Sequence, residues 1–345
     1  MFRDEPLWWY GPRNALPSRL MMPVAHLWGW VAERRFAKAV PLPVGLPVVC
    51  IGNFTAGGTG KTPVALYMAG RLEQLGRSPV FLTRGYGGSL AGPHRVEPEH
   101  DSAADVGDEP LLLARRAPVM LARDRAAGAR AIVAAFPAGT VIIMDDGLQN
   151  PALAKDLTIA VVDGRRGIGN GRVMPAGPLR APLAAQLPRV DVIVINQAIG
   201  GEAEASAHGD MFRQRFEGPV LDARTEVAGD TAWLKETPVI AFAAIGAPGR
   251  FFGLLRSLGA TVLREVAFPD HHPFTGTEAA KLLASARTMG AQLVTTEKDW
   301  VRLGAHAELK AAARTLPIAI AFAPADQARL DQMLRSMLSR YAVTD

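Results

Sequence analysis

Short apolar runs alternate with amphipathic stretches from Pro47 onward. The runs are rich in Val and Ile and show no alternation with polar residues, which is typical of strands covered on both faces of a parallel sheet. Five such runs precede residue 200, at Val48–Ile51, Pro79–Leu82, Val141–Met144, Leu157–Val162 and Val190–Ile195. Between them, the spacing predicts helices at Val64–Leu75, Leu111–Ala117 and Ala126–Phe136. This order predicts an α/β domain built on a parallel sheet.

A second α/β series follows a less regular stretch. Residues 198–236 lose the rhythm of strands and helices and are predicted to form a connector, in which Val220–Ala223 is a candidate linking strand. The later strands are predicted at Val239–Ala243, Thr261–Ala267, Gln292–Thr295 and Ile318–Phe322, and the later helices at Phe251–Leu258, Thr277–Met289 and Asp326–Tyr341. Two α/β domains that face each other across a connector are typical of an enzyme with its site in a cleft.

The first 40 residues differ from the rest of the chain. They hold four of the six tryptophans, and six of their apolar side chains share one helical face: Leu20, Met21, Val24, Leu27, Trp28 and Val31. Six Lys and Arg against three acidic residues give this stretch +3 of the net charge of +5. Trp and Arg on a short apolar helix suit the interface of an anionic bilayer. The alternative is an ordinary helix that packs on the domain with its tryptophans in the core.

Composition excludes several classes of protein. Of the 345 residues, 49% are hydrophobic, which excludes a disordered chain. The single cysteine, Cys50, excludes a disulfide framework and a cysteine-based zinc site. The net charge of +5 suits anionic ligands or an anionic membrane face but is too small to indicate nucleic acid. Since neither a secretory signal nor an unbroken apolar span is readable, we expect a cytoplasmic protein without a spanning helix.

A glycine-rich loop directly follows the first predicted strand. It consists of Thr55, Ala56, Gly57, Gly58, Thr59, Gly60, Lys61 and Thr62. Glycines let backbone N–H groups approach a phosphate chain, the lysine supplies charge to the β- and γ-phosphates, and the final hydroxyl suits Mg²⁺. The loop therefore predicts a binding site for the phosphates of ATP. Thr55 departs from the Walker A pattern, which has glycine at that position.

An acidic pair ends the apolar run that begins at Val141. Asp145 and Asp146 match a Walker B sequence, whose carboxylate holds the shell of Mg²⁺. Because neighbouring side chains at a strand end point in opposite directions, one acid is predicted to bind the metal and the other a substrate or Lys61. Which acid binds the metal stays open. His271 and His272 are a weak metal motif, since no other histidine lies near them in the sequence.

Together, these motifs resemble those of the tetraacyldisaccharide 4'-kinase family of lipid A biosynthesis. The resemblance covers roughly residues 47–303, in one continuous order: Ile51-Gly52-Asn53 before the loop, Arg84-Gly85-Tyr86-Gly87-Gly88, Gly107-Asp108-Glu109-Pro110, Asp145-Asp146-Gly147-Leu148-Gln149, Pro175-Ala176-Gly177-Pro178-Leu179-Arg180, Phe268-Pro269-Asp270-His271-His272 and Thr295-Thr296-Glu297-Lys298-Asp299. The P-loop of that family is similarly atypical at its first glycine. Asn150 is a departure, since the family pattern has His after Gln149.

The resemblance implies an α/β fold with a P-loop NTPase-type parallel sheet domain, a second, smaller α/β domain and an N-terminal interfacial helix. We accordingly expect an amphipathic membrane-associating segment at 1–40, the P-loop kinase core at 41–197, the connector at 198–236, the second domain at 237–325 and a C-terminal helix at 326–345. The second domain is expected to close the cleft before the reaction.

The activity implied by the resemblance is transfer of the γ-phosphoryl group of ATP to the 4'-hydroxyl of a tetraacyldisaccharide 1-phosphate. It implies work with Mg²⁺ at the cytoplasmic face of the inner membrane, with no nucleic acid and no obligate protein partner. Asp108 is the expected base and His271 its orienting partner from the second domain. Lys61 and Asp146 complete the expected catalytic set, and Thr62, Asp145, Asp146 and Glu109 are the expected metal ligands.

Three other readings fit parts of the sequence. A membrane-peripheral P-loop ATPase that acts as a switch usually carries a second lysine before the paired glycines, where this chain has Ala56. A GTPase would need an Asn-Lys-x-Asp guanine reader, which is absent, and 296–299 has the wrong spacing. A different small-molecule kinase would leave the Trp-rich N-terminus unexplained. Dependence of ATP turnover on a lipid acceptor separates a kinase from a switch.

Overall fold

The computed structural model describes residues 5–198 and 202–341. Its strands are β1 (Val48–Gly52), β2 (Ser78–Thr83), β3 (His94–Arg95), β4 (Val119–Leu121), β5 (Thr140–Asp145), β6 (Leu157–Asp163), β7 (Val192–Gln197), β8 (Val220–Val227), β9 (Val239–Ala243), β10 (Val262–Ala267), β11 (Gln292–Thr295), β12 (Ala313–Thr315) and β13 (Ile318–Phe322). Its helices are α1 (Leu16–Leu20), α2 (Met22–Lys38), α3 (Lys61–Gln74), α4 (Ala103–Val106), α5 (Asp108–Ala114), α6 (Arg125–Ala135), α7 (Leu183–Gln186), α8 (Glu202–Arg215), α9 (Trp233–Glu236), α10 (Pro248–Ser257), α11 (Gly276–Met289), α12 (Glu297–Arg302), α13 (Ala307–Ala312) and α14 (Pro324–Ser339).

The larger sheet has nine strands in the order β13-β8-β7-β6-β1-β5-β2-β4-β3. Its pairs are parallel except at the two edges, where β13 pairs with β8 and β3 with β4 in antiparallel fashion. Strands β1, β5 and β6 are buried along their whole length, as their sequences rich in Val and Ile predict. Because β1 lies between β5 and β6, the loops that follow β1 and β5 meet at the carboxyl edge of the sheet, where α/β proteins bind ligands.

The smaller sheet has four parallel strands in the order β10-β9-β11-β12. Its central strand β9 is fully buried, and separate apolar clusters cover its two faces. Helix α10 packs against β9 and β10, and α11 packs against β11. The smaller sheet thus has a core of its own, as expected for a second α/β unit.

Three elements belong to the larger sheet rather than where the sequence pattern puts them. Residues 198–236 are more than a connector, since they contribute α8 and the strand β8, which pairs in parallel with β7; residues 199–201 of this stretch lie outside the described residues. Strand β13 follows the second series in the chain but returns to pair with β8. Helix α14 then buries Leu330, Leu334, Met337 and Leu338 in the core of the larger sheet. Sequence order alone does not show such a return, because β13 resembles any other short apolar run.

The N-terminal helices α1 and α2 cover the larger unit with one face only. Ala25, Gly29 and Phe36 are buried, and the hydroxyl of the buried Ser18 donates to the carbonyl of Ala176 at 2.6 Å. Trp9 is buried, whereas the predicted apolar stripe remains exposed, with 62% of Leu27 and 50% of Trp28 accessible. No helix among the described residues is long and apolar enough to cross a membrane. Residues 1–4 and 342–345, which belong to the predicted terminal segments, lie outside the description.

Candidate active site

The glycine-rich loop ends in a left-handed residue that starts α3. Gly60 has φ +87° and precedes Lys61, the first residue of this 14-residue helix. The side-chain amide of Asn196 donates to the carbonyl of Thr59 at 3.1 Å and lies so close that a Cβ on Gly60 would come within 2.1 Å of it. Glycine is therefore required at this position both for its backbone conformation and for space. The loop is held with its N–H groups and the positive end of α3 at the sheet edge.

The other end of the loop is held by the segment around Arg180. The Ala56 N–H donates to the carbonyl of Pro178 at 2.8 Å, and the Arg180 N–H donates to the carbonyl of Phe54 at 2.9 Å. Thr55 pairs with Leu179 in an isolated antiparallel bridge and has no positive φ. Extended backbone is open to any residue, so threonine replaces the usual first glycine here without strain.

Asp146 is paired with two cations. Its Oδ1 lies 3.6 Å from Nζ of Lys61, and both of its carboxylate oxygens accept from Nη1 of Arg180 at 2.9 Å. Nε of Arg180 also donates to the carbonyl of Thr55 at 3.0 Å, which links Asp146 to the glycine-rich loop. Burial raises the pKa of the Asp146 carboxyl, but Lys61 and Arg180 outweigh burial and lower it to about 2. The residue has φ +50°, so its side chain leaves the end of β5 in an unusual direction.

Asp145 has the opposite electrostatic environment. Its side chain is fully buried, and its Oδ1 has no hydrogen-bond partner among the described residues. Burial, with the charges of Glu109 and Asp146, raises the pKa of this carboxyl to about 7. A buried carboxylate oxygen without a donor favours a cation as its partner.

The other expected metal ligands are Thr62 and Glu109. Each is partly buried and occupies the second position of its helix, α3 or α5. Within the described part of the chain, no three His, Cys, Asp or Glu side chains form a closed metal cluster. Mg²⁺ does not require one, because it is commonly bound by one or two carboxylates together with substrate phosphates and water. The donor set of oxygens present here fits Mg²⁺.

Asp108 and His271 meet where the two units touch. Asp108 is the first residue of α5, and His271 lies in the loop after β10 with φ +58°. Nδ1 of His271 lies 2.8 Å from Oδ2 of Asp108, although the residues are 163 positions apart. Since a carboxylate oxygen at this distance needs a donor, we assign the hydrogen of the imidazole to Nδ1. Glu109 follows Asp108 and raises the pKa of Asp145, so the acid–base pair adjoins the phosphate-binding side.

Arg302 completes this group. Its Nη2 donates to the same oxygen of Asp108 at 2.5 Å, and its side chain is only 4% exposed. Burial raises the pKa of Asp108, but the hydrogen bonds from His271 and Arg302 outweigh burial and lower it to about 2. Asp108 is therefore ionised at neutral pH. Among the described residues, His271 and Arg302 both contact this carboxylate at Oδ2, which leaves Oδ1 for another partner.

The structure thus gathers the predicted residues into two adjoining groups, and it adds two that the sequence analysis gave no role. The first holds residues 55–62 with Asp145 and Asp146, and the second holds Asp108 and His271. Arg180 and Arg302 were overlooked, although Arg180 ends a segment that carries the family resemblance. Arg302 lies three residues after Asp299, a spacing that brings the two together on one face of α12. His272 pairs with Glu278 at 3.0 Å.

Known proteins are similar to this chain along nearly its whole length. The family model for tetraacyldisaccharide-1-P 4'-kinase matches residues 17–339. Relatives named tetraacyldisaccharide 4'-kinase from Methylobacterium nodulans and Methylobacterium sp. strain 4-46 are each 50% identical, over 97% of this chain and 96% and 98% of theirs. A solved "apo" form of LpxK from Aquifex aeolicus in complex with ATP matches with a TM-score of 0.76 at 26% identity, covering 93% of this chain and 99% of that one. The predicted α/β fold and family are confirmed: the chain belongs to the tetraacyldisaccharide 4'-kinase family and is an ATP-using kinase of lipid A biosynthesis.

Proposed function

We propose that the two groups of side chains act on the two ends of one phosphoryl transfer. The γ-phosphoryl group of ATP lies against residues 55–62 and Lys61, and the 4'-hydroxyl of a tetraacyldisaccharide 1-phosphate approaches Asp108. The observation that carries this proposal is the 2.8 Å contact between His271 and Asp108, because the carboxylate in this contact is ionised and is followed directly by Glu109, whose charge acts on Asp145. The transition state of such a transfer is loose and anionic, so positioning and charge neutralisation supply most of the catalysis.

On the phosphate side, Lys61 and the N-terminus of α3 supply positive charge to the β- and γ-phosphates. Lys61 is paired with Asp146 at 3.6 Å. Arg180 binds both oxygens of Asp146 and the carbonyl of Thr55, and this holds the acid and the loop in fixed register. When Lys61 turns from Asp146 toward the phosphates, Arg180 therefore still holds Asp146.

Mg²⁺ would be held by Thr62, Asp145 and Glu109, with Asp146 beside them. We assign the principal contact to Asp145, because its buried Oδ1 lacks a partner while Asp146 is already engaged by Lys61 and Arg180. When bound, the ion would neutralise charge on the phosphate oxygens.

On the acceptor side, Asp108 serves as the base that accepts the proton of the 4'-hydroxyl. A positioned base contributes about 10²–10⁴-fold to such a step. His271 donates through Nδ1 to Oδ2 and so fixes the carboxylate plane, leaving Oδ1 to receive the proton. Since His271 comes from the smaller unit, we expect the two units to close before the reaction, which excludes water and limits hydrolysis of ATP.

The lipid substrate is expected to reach the site along α2. The exposed stripe lies on this helix and on the end of α1, and Nε1 of Trp28 donates to the carbonyl of Arg180 at 3.1 Å. A groove of about 520 Å³ separates α2 from residues 171–184, with Met22, Trp30 and Leu183 beside Arg13 and Arg172 in its wall. Apolar walls with basic residues suit an acyl chain joined to an anionic head group. We therefore place the enzyme peripherally at the cytoplasmic face of the inner membrane.

Transfer of label from γ-labelled ATP to tetraacyldisaccharide 1-phosphate in detergent micelles with Mg²⁺ tests this proposal. The matched set is the unaltered protein, Lys61→Ala, Asp108→Ala and Lys281→Ala, the last on the exposed face of α11. Label is expected in the lipid with the unaltered protein and Lys281→Ala, and none with Lys61→Ala. Asp108→Ala should bind ATP but turn over about 10²–10⁴-fold more slowly. Label released only as inorganic phosphate, with or without lipid, would favour the membrane ATPase instead.

A further inference from the structure

The guanidinium group of Arg302 joins the smaller sheet to Asp108. Its Nη1 donates to Oδ1 of Asp299 at 2.7 Å and to the carbonyl of Ala244 at 2.8 Å, and its Nη2 donates to Asp108. Asp299 and Ala244 belong to the smaller unit, whereas Asp108 begins α5 of the larger unit. One planar side chain therefore spans the boundary between the units inside the site.

The smaller unit holds Arg302 in one orientation. Asp299 is fully buried, and its Oδ2 accepts from the hydroxyl of Thr296 at 2.7 Å and from the N–H of Ala244 at 3.1 Å. Because a guanidinium group presents its donors in a rigid fork, fixing Nη1 also fixes the direction of Nη2. The carbonyl of Ala244 also accepts from the N–H of His271 at 3.1 Å, so Arg302 and His271 share one anchor at the end of β9.

We propose that Arg302 is a positioning residue for phosphoryl transfer, because its fork holds Oδ2 of Asp108 to the smaller unit and turns Oδ1 toward the acceptor hydroxyl. This inference rests on the role of Asp108 as base in the proposed function. Arg302 and His271 bind the same oxygen from the same anchor, so the carboxylate is fixed in its plane only when the two units are together.

A role for Arg302 in stability alone, as a link between the two units, would explain the same contacts less well. Helices α5 and α12 are already joined by Arg115, which pairs with Glu297 at 3.3 Å and lies over the ring of Trp300 at 5.0 Å. A buried ion pair is in general weak evidence for stability, since desolvation of both charges offsets their attraction. Arg115 thus provides a matched control, because it joins the same two helices without touching Asp108.

The test compares Arg302→Ala, Arg302→Lys and Arg115→Met in the lipid phosphorylation assay, with kcat and the KM for ATP measured separately. Arg302→Ala should lower kcat about 100-fold and leave the KM for ATP within about twofold, because phosphate contacts are untouched. Added guanidinium chloride at millimolar concentration should restore about 10-fold of the lost kcat, and lysine should restore part of it. Arg115→Met should stay within about threefold of the unaltered protein.

The inference is overturned if Arg302→Ala matches Arg115→Met in kcat, if its loss lies in the KM for ATP, or if neither guanidinium nor lysine restores turnover. If thermal unfolding shows that Arg302→Ala does not fold, Arg302→Gln replaces it, because glutamine keeps a donor and most of the volume. The kcat of Arg302→Gln is then compared with that of Arg302→Lys and Arg115→Met in the same way. Asp108→Ala separates the role of Asp108 as base from the role of Arg302 in positioning it. If it retains turnover, the base assignment fails; if it is inactive while Arg302→Ala is not, only the present inference fails.

Discussion

The phosphate side and the acceptor side of the site are built in different ways. The phosphate side comes from two short segments at one sheet edge, residues 55–62 after β1 and the acidic pair at the end of β5. The acceptor side joins Asp108 to His271 and Arg302, which lie 163 and 194 positions away and come from the other unit. Each segment of the phosphate side follows one strand of a single sheet, whereas the acceptor side exists only when two units are in contact.

The carboxylates of the two sides also differ in their electrostatic environment. On the acceptor side, Asp108 is already paired, and its pKa is lowered to about 2 mainly by His271 and Arg302 against the effect of burial. On the phosphate side, the buried Oδ1 of Asp145 has no hydrogen-bond partner among the described residues, and the pKa of this carboxyl is raised to about 7 by burial, Glu109 and Asp146. The acceptor side is therefore complete in the protein alone, and the phosphate side needs its ligands to complete it.

The largest expected effect tests whether the glycine-rich loop of the phosphate side requires glycine at position 60. Gly60→Ala forces a side chain into φ +87° and within 2.1 Å of the Asn196 amide, whereas Gly58→Ala meets nothing within 4 Å and has no positive φ. We expect Gly60→Ala to lower the free energy of unfolding by about 2–4 kcal/mol and Gly58→Ala by less than about 1 kcal/mol. Chemical denaturation measures both. Equal losses would show that the loop tolerates a side chain at either position.

A smaller effect tests whether the phosphate side is incomplete without ligands. A folded-state pKa of about 7 lies above the usual value of Asp, so the folded protein retains a proton that the unfolded chain releases. The contribution of Asp145 to stability therefore falls as pH rises from about 4 to about 7. We expect the stability difference between the unaltered protein and Asp145→Asn to change by about 1–3 kcal/mol between pH 5 and pH 8.

Denaturation of the ligand-free protein at both pH values measures this difference. Asp210→Asn is the control, since Asp210 is 61% exposed at its side chain on α8. A stability difference that is independent of pH would mean that Asp145 is ionised without a cation, and the contrast between the two sides would be lost.

The smallest effect concerns the loop that carries His271. His272 stacks on Phe268 with ring centroids 5.1 Å apart and pairs with Glu278 at 3.0 Å, so it braces the turn in which His271 has φ +58°. We expect His272→Ala to lower kcat about 3- to 10-fold with an unchanged KM for ATP, because it loosens only the acceptor side. His94→Ala is the control: it removes the ion pair between His94, on β3, and Asp101, and it should leave kcat unchanged. A change confined to the KM for ATP would contradict the division into two sides.

The same distinction explains what the sequence could predict. The strands of the larger sheet from β1 to β7 were readable apart from the short strands β3 and β4, because buried parallel strands leave runs rich in Val and Ile. Strand β13 was misplaced, because its pairing with β8 depends on a return across some 90 residues that no local pattern records. Arg302 was missed for the same reason, since an arginine on a short helix is ordinary until a distant carboxylate lies against it. Asp108 and His271 were identified only through the family resemblance.

A double-mutant cycle between Asp108 and His271 tests the central claim most directly, namely that the two units assemble one acid–base pair. Lipid phosphorylation is measured for Asp108→Ala, His271→Ala and the double variant at saturating ATP. Because the two side chains act through one hydrogen bond, we predict that the double variant is within about threefold of the slower single variant. A double variant slowed by the product of the two single losses would show that they act independently and would contradict this account.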